Sequence, residues 1–235
     1  MLIINADETR RLLPMAQCID VMDHAMRAVS TGGIAAPDRI IAPLGDGSGY
    51  FILMPGSMAG AAVYGAKLVS LHPGNPAQGR PAVQGFVTLF DAQTGSPCAL
   101  VDGAEITRVR TAAASALAAR ALARADACSH GILGAGVQAA SHLEAMGCVR
   151  SIDRIVVWAR NYDKAKEFVA GQSQRHGIEV TAAERAEEAA ACDIVSMVTN
   201  APDPVLWLIR SDDTNVRGAR PPIALLEVEF DHLAF

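Results

Sequence analysis

Short apolar runs and amphipathic stretches alternate along the second half of the sequence, and this pattern limits the fold more than any other feature. The strand-like runs are CSHGIL, RIVVWAR, IEV and DIVSMVT, and the helix-like stretches between them are GVQAASHLEAMG, YDKAKEFVAGQSQRHG and AERAEEAAA. Strands that alternate with helices build βαβ units, whose crossovers are right-handed and whose sheets are parallel and covered on both faces. The sequence therefore predicts a doubly wound parallel α/β sheet in this region.

A glycine-rich turn separates the first of these strands from the first helix, in the stretch HGILGAGVQAASHL. Gly134, Gly136 and Ala139 fit the G-x-G-x-x-G/A pattern in the context that this pattern requires. We expect Gly134 to allow the tight turn, Gly136 to let a pyrophosphate approach the backbone, and Ala139 to bring helix and strand together. The free amides at the start of the helix supply an anion site. The sequence therefore predicts a Rossmann-type dinucleotide-binding turn.

The end of the second strand bears on which dinucleotide binds. An acidic residue is expected there to accept hydrogen bonds from the adenosine ribose, but the sequence has Ala159 followed by Arg160. A guanidinium can hold a 2′-phosphate with two hydrogen bonds, with Lys164 as a further candidate helper. NADP(H) is therefore favoured. Asp163 keeps NAD(H) open, and the alternative interpretation of Arg160 is a solvated loop residue.

The first half of the chain has a different pattern, which predicts an α+β domain. A helix is expected from Met15 to about Ser30, followed by short β-rich runs over residues 36–102 and an alanine-rich helix over 103–124. We predict a first domain at 1–125 and a partial NAD(P)-binding domain at 126–206. The alternation stops after Leu206, so the predicted sheet is incomplete and residues 207–235 form an atypical tail.

Charge and composition exclude several classes of protein. The formal net charge of −5 comes without a cluster of basic residues, which argues against nucleic acid as a partner. The apolar runs are too short for a membrane span, and the N-terminus lacks the pattern of a secretory signal, so we expect a cytoplasmic protein. The five cysteines form no C-x-x-C pair and the six histidines are dispersed, so reduced thiols and no metal site are expected.

Several stretches of the chain resemble the ornithine cyclodeaminase/mu-crystallin family. They are PDR, GAKLVS, LFDAQTGSPCALVDG, ITRVRTAAASALAARALA, GILGAGVQAASHLEA and VTNAPDPVL, in the order of the family and within residues 1 to about 206. The resemblance implies that residues 1–125 form a substrate-binding and dimerisation domain, whose strands build a homodimer. It also implies that Arg39, Lys67 and Arg110 bind the substrate carboxylate, with Lys67 and Arg110 as catalytic residues. The residues that the resemblance assigns to the cofactor, beside the glycine turn, are Thr111, Val137, Gln138 and Thr199.

The resemblance is lost toward the end of the sequence. The family continues with a G-x-D-x-P-G element whose aspartate transfers a proton, whereas this chain reads WLIRSDDTNVRGARPP. Asp212, Asp213 and Asp231 do not match that element in context. The sequence is therefore interpreted as a C-terminally truncated or frameshifted member.

The resemblance implies a nicotinamide-dependent oxidoreductase that acts on a small amino or imino acid. The favoured reaction is reduction of a cyclic ketimine such as pyrroline-2-carboxylate to L-proline. One alternative is ornithine cyclodeamination, in which NAD⁺ is recycled and L-ornithine gives L-proline and ammonia. The alternative from another class is a noncatalytic NADP(H)-binding protein or an inactive truncated remnant.

Overall fold

The computed structural model describes residues 1–176, 178–199, 201 and 203–206 and the backbone of 224–225, except for the side chains of 173–176. The tail predicted at 207–235, with Asp212, Asp213 and Asp231, otherwise lies outside the described residues. The chain divides into two compact units, the first comprising Met1–Arg110 and the second beginning at Thr111. This division lies within a helix, whereas the domain boundary at residues 125 and 126 stays a prediction. None of the helices described combines the length and apolar character that a bilayer crossing needs.

The first unit contains a seven-stranded mixed sheet. Its strands are hydrogen bonded in the order β1-β7-β6-β5-β4-β2, and β3 also pairs with β4. Strands β4 to β7 are antiparallel neighbours, while β1 runs parallel to β7. The elements are β1 (Leu2–Ile4), α1 (Ala6–Leu12), α2 (Met15–Ser30), β2 (Ile34–Ala35), β3 (Ile40–Pro43), β4 (Tyr50–Met58), β5 (Val63–Leu71), β6 (Val83–Asp91) and β7 (Pro97–Asp102), and α3 (Gly103–Leu122) then crosses the division.

Local signals in the sequence explain where these elements begin and end. Asn5 caps α1, because its side chain accepts a hydrogen bond from the Glu8 amide at 3.0 Å and the Glu8 carboxylate accepts one from the Asn5 amide at 2.9 Å. Helix α2 stops shortly before Gly32, whose φ of 74° only glycine adopts readily. The β6–β7 hairpin turns through Asp91 and ends at Gly95, which has a φ of 70°. The helix predicted from Met15 to about Ser30 is confirmed.

The two faces of the first sheet differ in burial. Lys67 lies on one face beside its cross-strand neighbours Met54 and Val87, and both Met54 and Lys67 are buried. The opposite face leaves large apolar side chains exposed, namely Ile40, Phe51, Tyr64 and Phe86, whereas the exposed apolar residues on the Lys67 face lie at or near the first residues of their strands, namely Ile41, Tyr50, Val63 and Val83. The sheet therefore protects a charged amine on one side and presents an apolar surface on the other.

The second unit contains a parallel five-stranded sheet with the strand order β10-β9-β8-β11-β12. This confirms the Rossmann-type fold that the alternating pattern predicts. The elements are β8 (Ser129–Leu133), α4 (Val137–Gly147), β9 (Arg154–Trp158), α5 (Tyr162–His176), β10 (Glu179–Ala183), α6 (Ala186–Ala190), β11 (Ile194–Met197) and β12 (Ala224–Leu225).

Helices cover both faces of this second sheet. On one face Ile132 of β8 packs in a buried cluster with Leu143 of α4, and on the other Leu133 and Val195 pack with Ala189 of α6. Successive residues of a strand point to opposite faces, so neighbours such as Ile132 and Leu133 belong to different clusters. A strand buried on both sides is mostly apolar, which explains why β8, β9 and β11 appear in the sequence as short runs rich in apolar residues.

Candidate functional site

The glycine-rich turn joins the carboxyl end of β8 to α4. Gly134 has a φ of 134°, and a Cβ atom there would lie 2.8 Å from the carbonyl oxygen of Val198. Gly136 caps α4 in an extended conformation, and the space around its hypothetical Cβ is empty to 4 Å. Ala139 is fully buried in the cluster that contains Ile132. The turn is therefore tight at Gly134, open at Gly136 and closely packed at Ala139.

A cavity of about 580 Å³ opens beside this turn, at the carboxyl ends of β8, β9 and β11. This edge of a parallel sheet is where nucleotides bind in doubly wound folds. Six of the residues predicted for the cofactor line the cavity: Gly134, Gly136, Val137, Gln138, Arg160 and Thr199. Thr111 lies on α3 and Ala139 lies in the core, so these two do not belong to the lining.

Polar side chains after β9 form the second wall of the cavity. Arg160, Asn161 and Lys164 all contribute to the lining, and the Asn161 side chain caps α5 by accepting a hydrogen bond from the Lys164 amide at 3.2 Å. The carboxylate of Asp163 instead forms an ion pair with Lys166 at 2.8 Å. Asp163 was the residue that allowed NAD(H) as the alternative cofactor. Its carboxylate pairs with a lysine on α5, and Asp163 is not among the residues that line the cavity. Asn161 escaped the sequence analysis, although an asparagine directly before a helix is a recognisable cap.

Buried polar side chains lie on β8 and α4, the two elements that the turn joins. His142 of α4 bonds through Nδ1 to the carbonyl oxygen of Gln138 at 2.8 Å and through Nε2 to Ser115 Oγ at 3.0 Å. His130 of β8 is also buried, and its Nε2 lies 2.9 Å from Ser196 Oγ. Burial lowers the pKa of both histidines, that of His130 to about 3. Both rings are therefore neutral at physiological pH, and sequence reasoning did not connect them with the turn.

The first unit places the three predicted carboxylate-binding residues near one another. Lys67 on β5 and Arg110 on α3 are buried, and Arg39 lies half-buried between β2 and β3. Burial, together with the charges of Arg110 and Arg39, lowers the pKa of Lys67 to about 8. Burial likewise lowers the pKa of Arg110, with the neighbouring Cys18 thiol acting in the opposite direction. The first unit thus concentrates positive charge in an environment of reduced hydration.

Acidic and thiol side chains do not gather into a metal site within the described residues, where no group of three or more potential His, Cys, Asp or Glu ligands is found. All five cysteines belong to the described part of the chain, and each is a free thiol.

Known protein sequences are similar to this one over most of its length. The sequence model of the ornithine cyclodeaminase/mu-crystallin family matches residues 1–208. A Delta(1)-pyrroline-2-carboxylate reductase of Bacillus cereus is 34% identical over 206 residues, which cover 87% of this chain and 63% of the relative. The ketimine reductase mu-crystallin of Rattus norvegicus is 33% identical over 93% of this chain and 71% of its own length.

Solved structures of related enzymes also superpose on this chain. The Delta(1)-pyrroline-2-carboxylate reductase of Thermococcus litoralis, solved with NADH and L-proline, superposes with a TM-score of 0.82 at 36% identity, covering 88% of this chain and 64% of that one. An archaeal alanine dehydrogenase dimer with bound NAD gives a TM-score of 0.81 at 30% identity, with coverages of 88% and 62%. The chain thus spans less than two thirds of these structures, and 63% of the Bacillus relative.

Proposed function

The chain belongs to the ornithine cyclodeaminase/mu-crystallin family, and from that premise we propose that it is an NAD(P)-dependent oxidoreductase that reduces a cyclic imino acid to an amino acid. A pyrroline-2-carboxylate-like ketimine is the proposed substrate and L-proline the product. The observation that carries the proposal is the meeting of six predicted cofactor residues around one cavity at the carboxyl edge of the second sheet. The Bacillus and Thermococcus proteins carry the name of this activity.

Arg39, Lys67 and Arg110 are proposed to bind the substrate carboxylate. Guanidinium and ammonium groups form short charge-assisted hydrogen bonds with carboxylates, and these strengthen where water is scarce. An α-imino acid held in this way has its imine carbon fixed relative to its carboxylate, which is the positioning that hydride transfer requires. The concentration of charge at the buried Lys67 and Arg110 supports this role, because an anionic ligand would offset the repulsion between them.

A nicotinamide dinucleotide fits the residues of the second unit. The free space at Gly136 and the start of α4 suit a pyrophosphate, which the backbone amides there would bind. When bound, the cofactor supplies the hydride that the imine carbon accepts. The solved neighbours contain NADH or NAD.

We propose NADP(H) as the preferred form of the cofactor, with NAD(H) as the alternative. Arg160 and Lys164 line the cavity at the end of β9, where a ribose 2′-phosphate would lie in this kind of fold. Asp163 carries the carboxylate that could favour NAD(H), but it is engaged with Lys166 on α5. Two cations without a lining carboxylate at this point support the phosphorylated cofactor.

We propose that the protein acts as a homodimer through the apolar face of the first sheet. Tyr64 and Phe90 stack on that face with ring centroids 5.6 Å apart, and Phe51 and Phe86 are exposed on it. Contiguous exposed apolar surface of this kind marks an association site. The archaeal alanine dehydrogenase neighbour is described as a dimer. Sedimentation of the chain and of a Phe86→Asp variant tests this point, with a dimer expected only for the former.

Cyclodeamination remains a second candidate for a specific reason. A lysine cyclodeaminase whose structure concerns recognition of L-lysine, L-ornithine and L-2,4-diaminobutyric acid superposes with a TM-score of 0.76 at 30% identity. A noncatalytic NADP(H)-binding protein or an inactive remnant is the third candidate.

Parallel assays separate the three. Purified protein is incubated with NADPH and pyrroline-2-carboxylate, and in parallel with NAD⁺ and L-ornithine, while absorbance at the nicotinamide band and proline formation are followed. We expect NADPH oxidation with matching proline formation and no turnover of ornithine. Proline formation in the ornithine assay but not in the pyrroline-2-carboxylate assay would establish cyclodeamination. No turnover in either assay, together with NADPH binding, would establish the noncatalytic function.

A further inference from the structure

The ammonium group of Lys67 has two positively charged neighbours in the first unit. Lys67 lies on the buried face of the first sheet, and the guanidinium groups of Arg39 and Arg110 are near enough to disfavour its protonated form. A long side chain with three rotatable donors would move away from like charge unless an acceptor held it. The position of Nζ is therefore determined by the acceptors that surround it.

Thr107 of α3 provides such an acceptor. Its Oγ1 lies 3.4 Å from Lys67 Nζ, which is long for a hydrogen bond. The hydroxyl of Thr107 also donates to the carbonyl oxygen of Gly103 at 2.7 Å. A hydroxyl has a single proton and two lone pairs. Since its proton is used within α3, the oxygen faces Lys67 as an acceptor.

The start of α3 is itself held in place by a close contact. A Cβ atom at Gly103 would lie 2.9 Å from the backbone of Gly85 and Phe86 on β6, so only glycine allows the helix to begin this near the strand. Two residues later in the same turn, Glu105 accepts hydrogen bonds from Arg10 of α1 at 3.1 Å and from Arg108 at 2.6 Å. The first turn of α3 is thus fixed to β6 and to α1.

We propose that Thr107 is a positioning residue that holds the Lys67 ammonium in place through its hydroxyl oxygen. Three contacts connect β6 to Lys67. Gly103 packs against β6, its carbonyl oxygen accepts a hydrogen bond from Thr107, and the hydroxyl oxygen of Thr107 contacts Nζ of Lys67. The role of Lys67 as a carboxylate-binding residue rests on the proposed function, whereas the positioning itself is a property of the protein alone. This separation allows one part to be tested without the other.

The sequence makes a direct test practical, because it contains only three lysines: Lys67, Lys164 and Lys166. Protein labelled with ¹³C at lysine is titrated by NMR between pH 6 and 11, and a Lys67→Arg variant assigns the signal. The groups that act on Lys67 are Arg39 before β3 and Arg110 on α3, and Cys18 on α2 acts on Arg110. Lys164 and Lys166 serve as internal references.

Three variants decide the outcome. Thr107→Val removes the acceptor at nearly constant volume and should lower the titration midpoint of Lys67 by about one pH unit, because a hydrogen bond to the charged form is lost. Thr107→Ser keeps the hydroxyl and should restore the midpoint. Thr9→Val is the matched control, because the buried Thr9 hydroxyl donates to the Asn5 carbonyl oxygen at 2.8 Å in the same way. An unchanged midpoint in Thr107→Val, or equal shifts in Thr107→Val and Thr107→Ser, would overturn the proposal.

Kinetics then connect the positioning to the proposed function. Thr107→Val should raise the KM for pyrroline-2-carboxylate on the order of tenfold with a smaller change in kcat, because a misplaced ammonium weakens binding of the substrate carboxylate. Thr107→Ser should stay within about threefold of the parent. A shifted Lys67 titration with no turnover by the parent protein would contradict the proposed function and leave the positioning role standing. A parent that turns over, with no shift in the titration, would contradict the positioning role alone.

Discussion

Ser115 of α3 and His142 of α4 are joined by a buried hydrogen bond between Oγ and Nε2. The distance is 3.0 Å, and the other ring nitrogen lies 2.8 Å from the carbonyl oxygen of Gln138. A carbonyl oxygen only accepts, so Nδ1 carries the proton and Nε2 must accept from the hydroxyl. One buried neutral tautomer thus connects α3 with the first turn of α4, where Gln138 lines the cavity.

Ser115→Ala should therefore destabilise the second unit. The substitution leaves a buried ring nitrogen without its donor, which costs about 1–3 kcal/mol of unfolding free energy. Ser30→Ala is the matched control, because Ser30 and Ser115 each contact the carbonyl oxygen four residues earlier, at 3.0 and 3.3 Å, but of the two only Ser115 also contacts a histidine. Urea unfolding followed by tryptophan fluorescence gives both values. Equal stabilities for the two variants would show that the Ser115–His142 bond contributes nothing.

Two glycines of the turn should respond differently to alanine. Gly136→Ala places a methyl group in open space, so the melting temperature should be nearly unchanged while the Kd for NADPH rises on the order of tenfold as the methyl group obstructs the pyrophosphate. Gly134→Ala should lower stability by about 1–3 kcal/mol, because its φ of 134° and the contact with Val198 both oppose a side chain. Calorimetry and fluorescence titration with NADPH measure the two effects.

Gly147→Ala supplies the reference for this pair, since the space around Gly147 at the end of α4 is also open. It should change neither the Kd nor the melting temperature appreciably. If Gly136→Ala bound NADPH as well as Gly147→Ala does, the pyrophosphate site would have to lie elsewhere.

Arg160→Asp should change the choice between cofactors. A carboxylate at the end of β9 repels a 2′-phosphate and can accept from ribose hydroxyls, so the Kd for NADPH should rise at least about tenfold while that for NADH changes little or falls. Arg154→Asp is the control, because Arg154 is exposed at the opposite end of the same strand. Fluorescence titrations with both cofactors give the ratio, and a ratio equal in the two variants would remove Arg160 from phosphate recognition.

The parts of the fold that sequence reasoning anticipated depend on residues that are near one another in the chain. The glycine turn needs only a few consecutive residues, α2 follows from its periodic apolar face, and the runs of β8 and β11 mark strands buried on both faces. Such determinants are visible before any tertiary structure is known.

The supporting contacts of the candidate sites are not visible in this way. Ser115 and His142 are 27 residues apart, and Lys67 and Thr107 are 40 apart. Some buried histidines accept a hydrogen bond from a serine, and others pack without a partner. The local sequence does not distinguish the two cases, because the difference depends on which helix packs against the histidine. These pairs exist only because α3 packs against other elements along its length, which periodicity alone does not specify.

Acid should destabilise the second unit through its buried histidines. Burial lowers the pKa of His130 to about 3, and that of His142 is lowered too, whereas an unfolded histidine titrates near its ordinary value of 6.5. Between these values the unfolded state binds more protons than the native state, so stability rises with pH and is lost as the pH falls from about 6.5 toward 3. Each histidine contributes a slope of up to about 1.4 kcal/mol per pH unit.

The carboxylates whose pKa values are lowered act in a separate window. The pKa of Asp193 falls to about 2 through hydrogen bonds from Ser129, so its contribution disappears only below its ordinary value of 3.8. Urea unfolding between pH 5 and 6.5 therefore isolates the histidines. His130→Gln should reduce the slope in that range by nearly one proton even if its absolute stability is lower. A slope that is identical in the parent and in His130→Gln would mean that His130 is protonated in the native state to the same extent as in the unfolded chain.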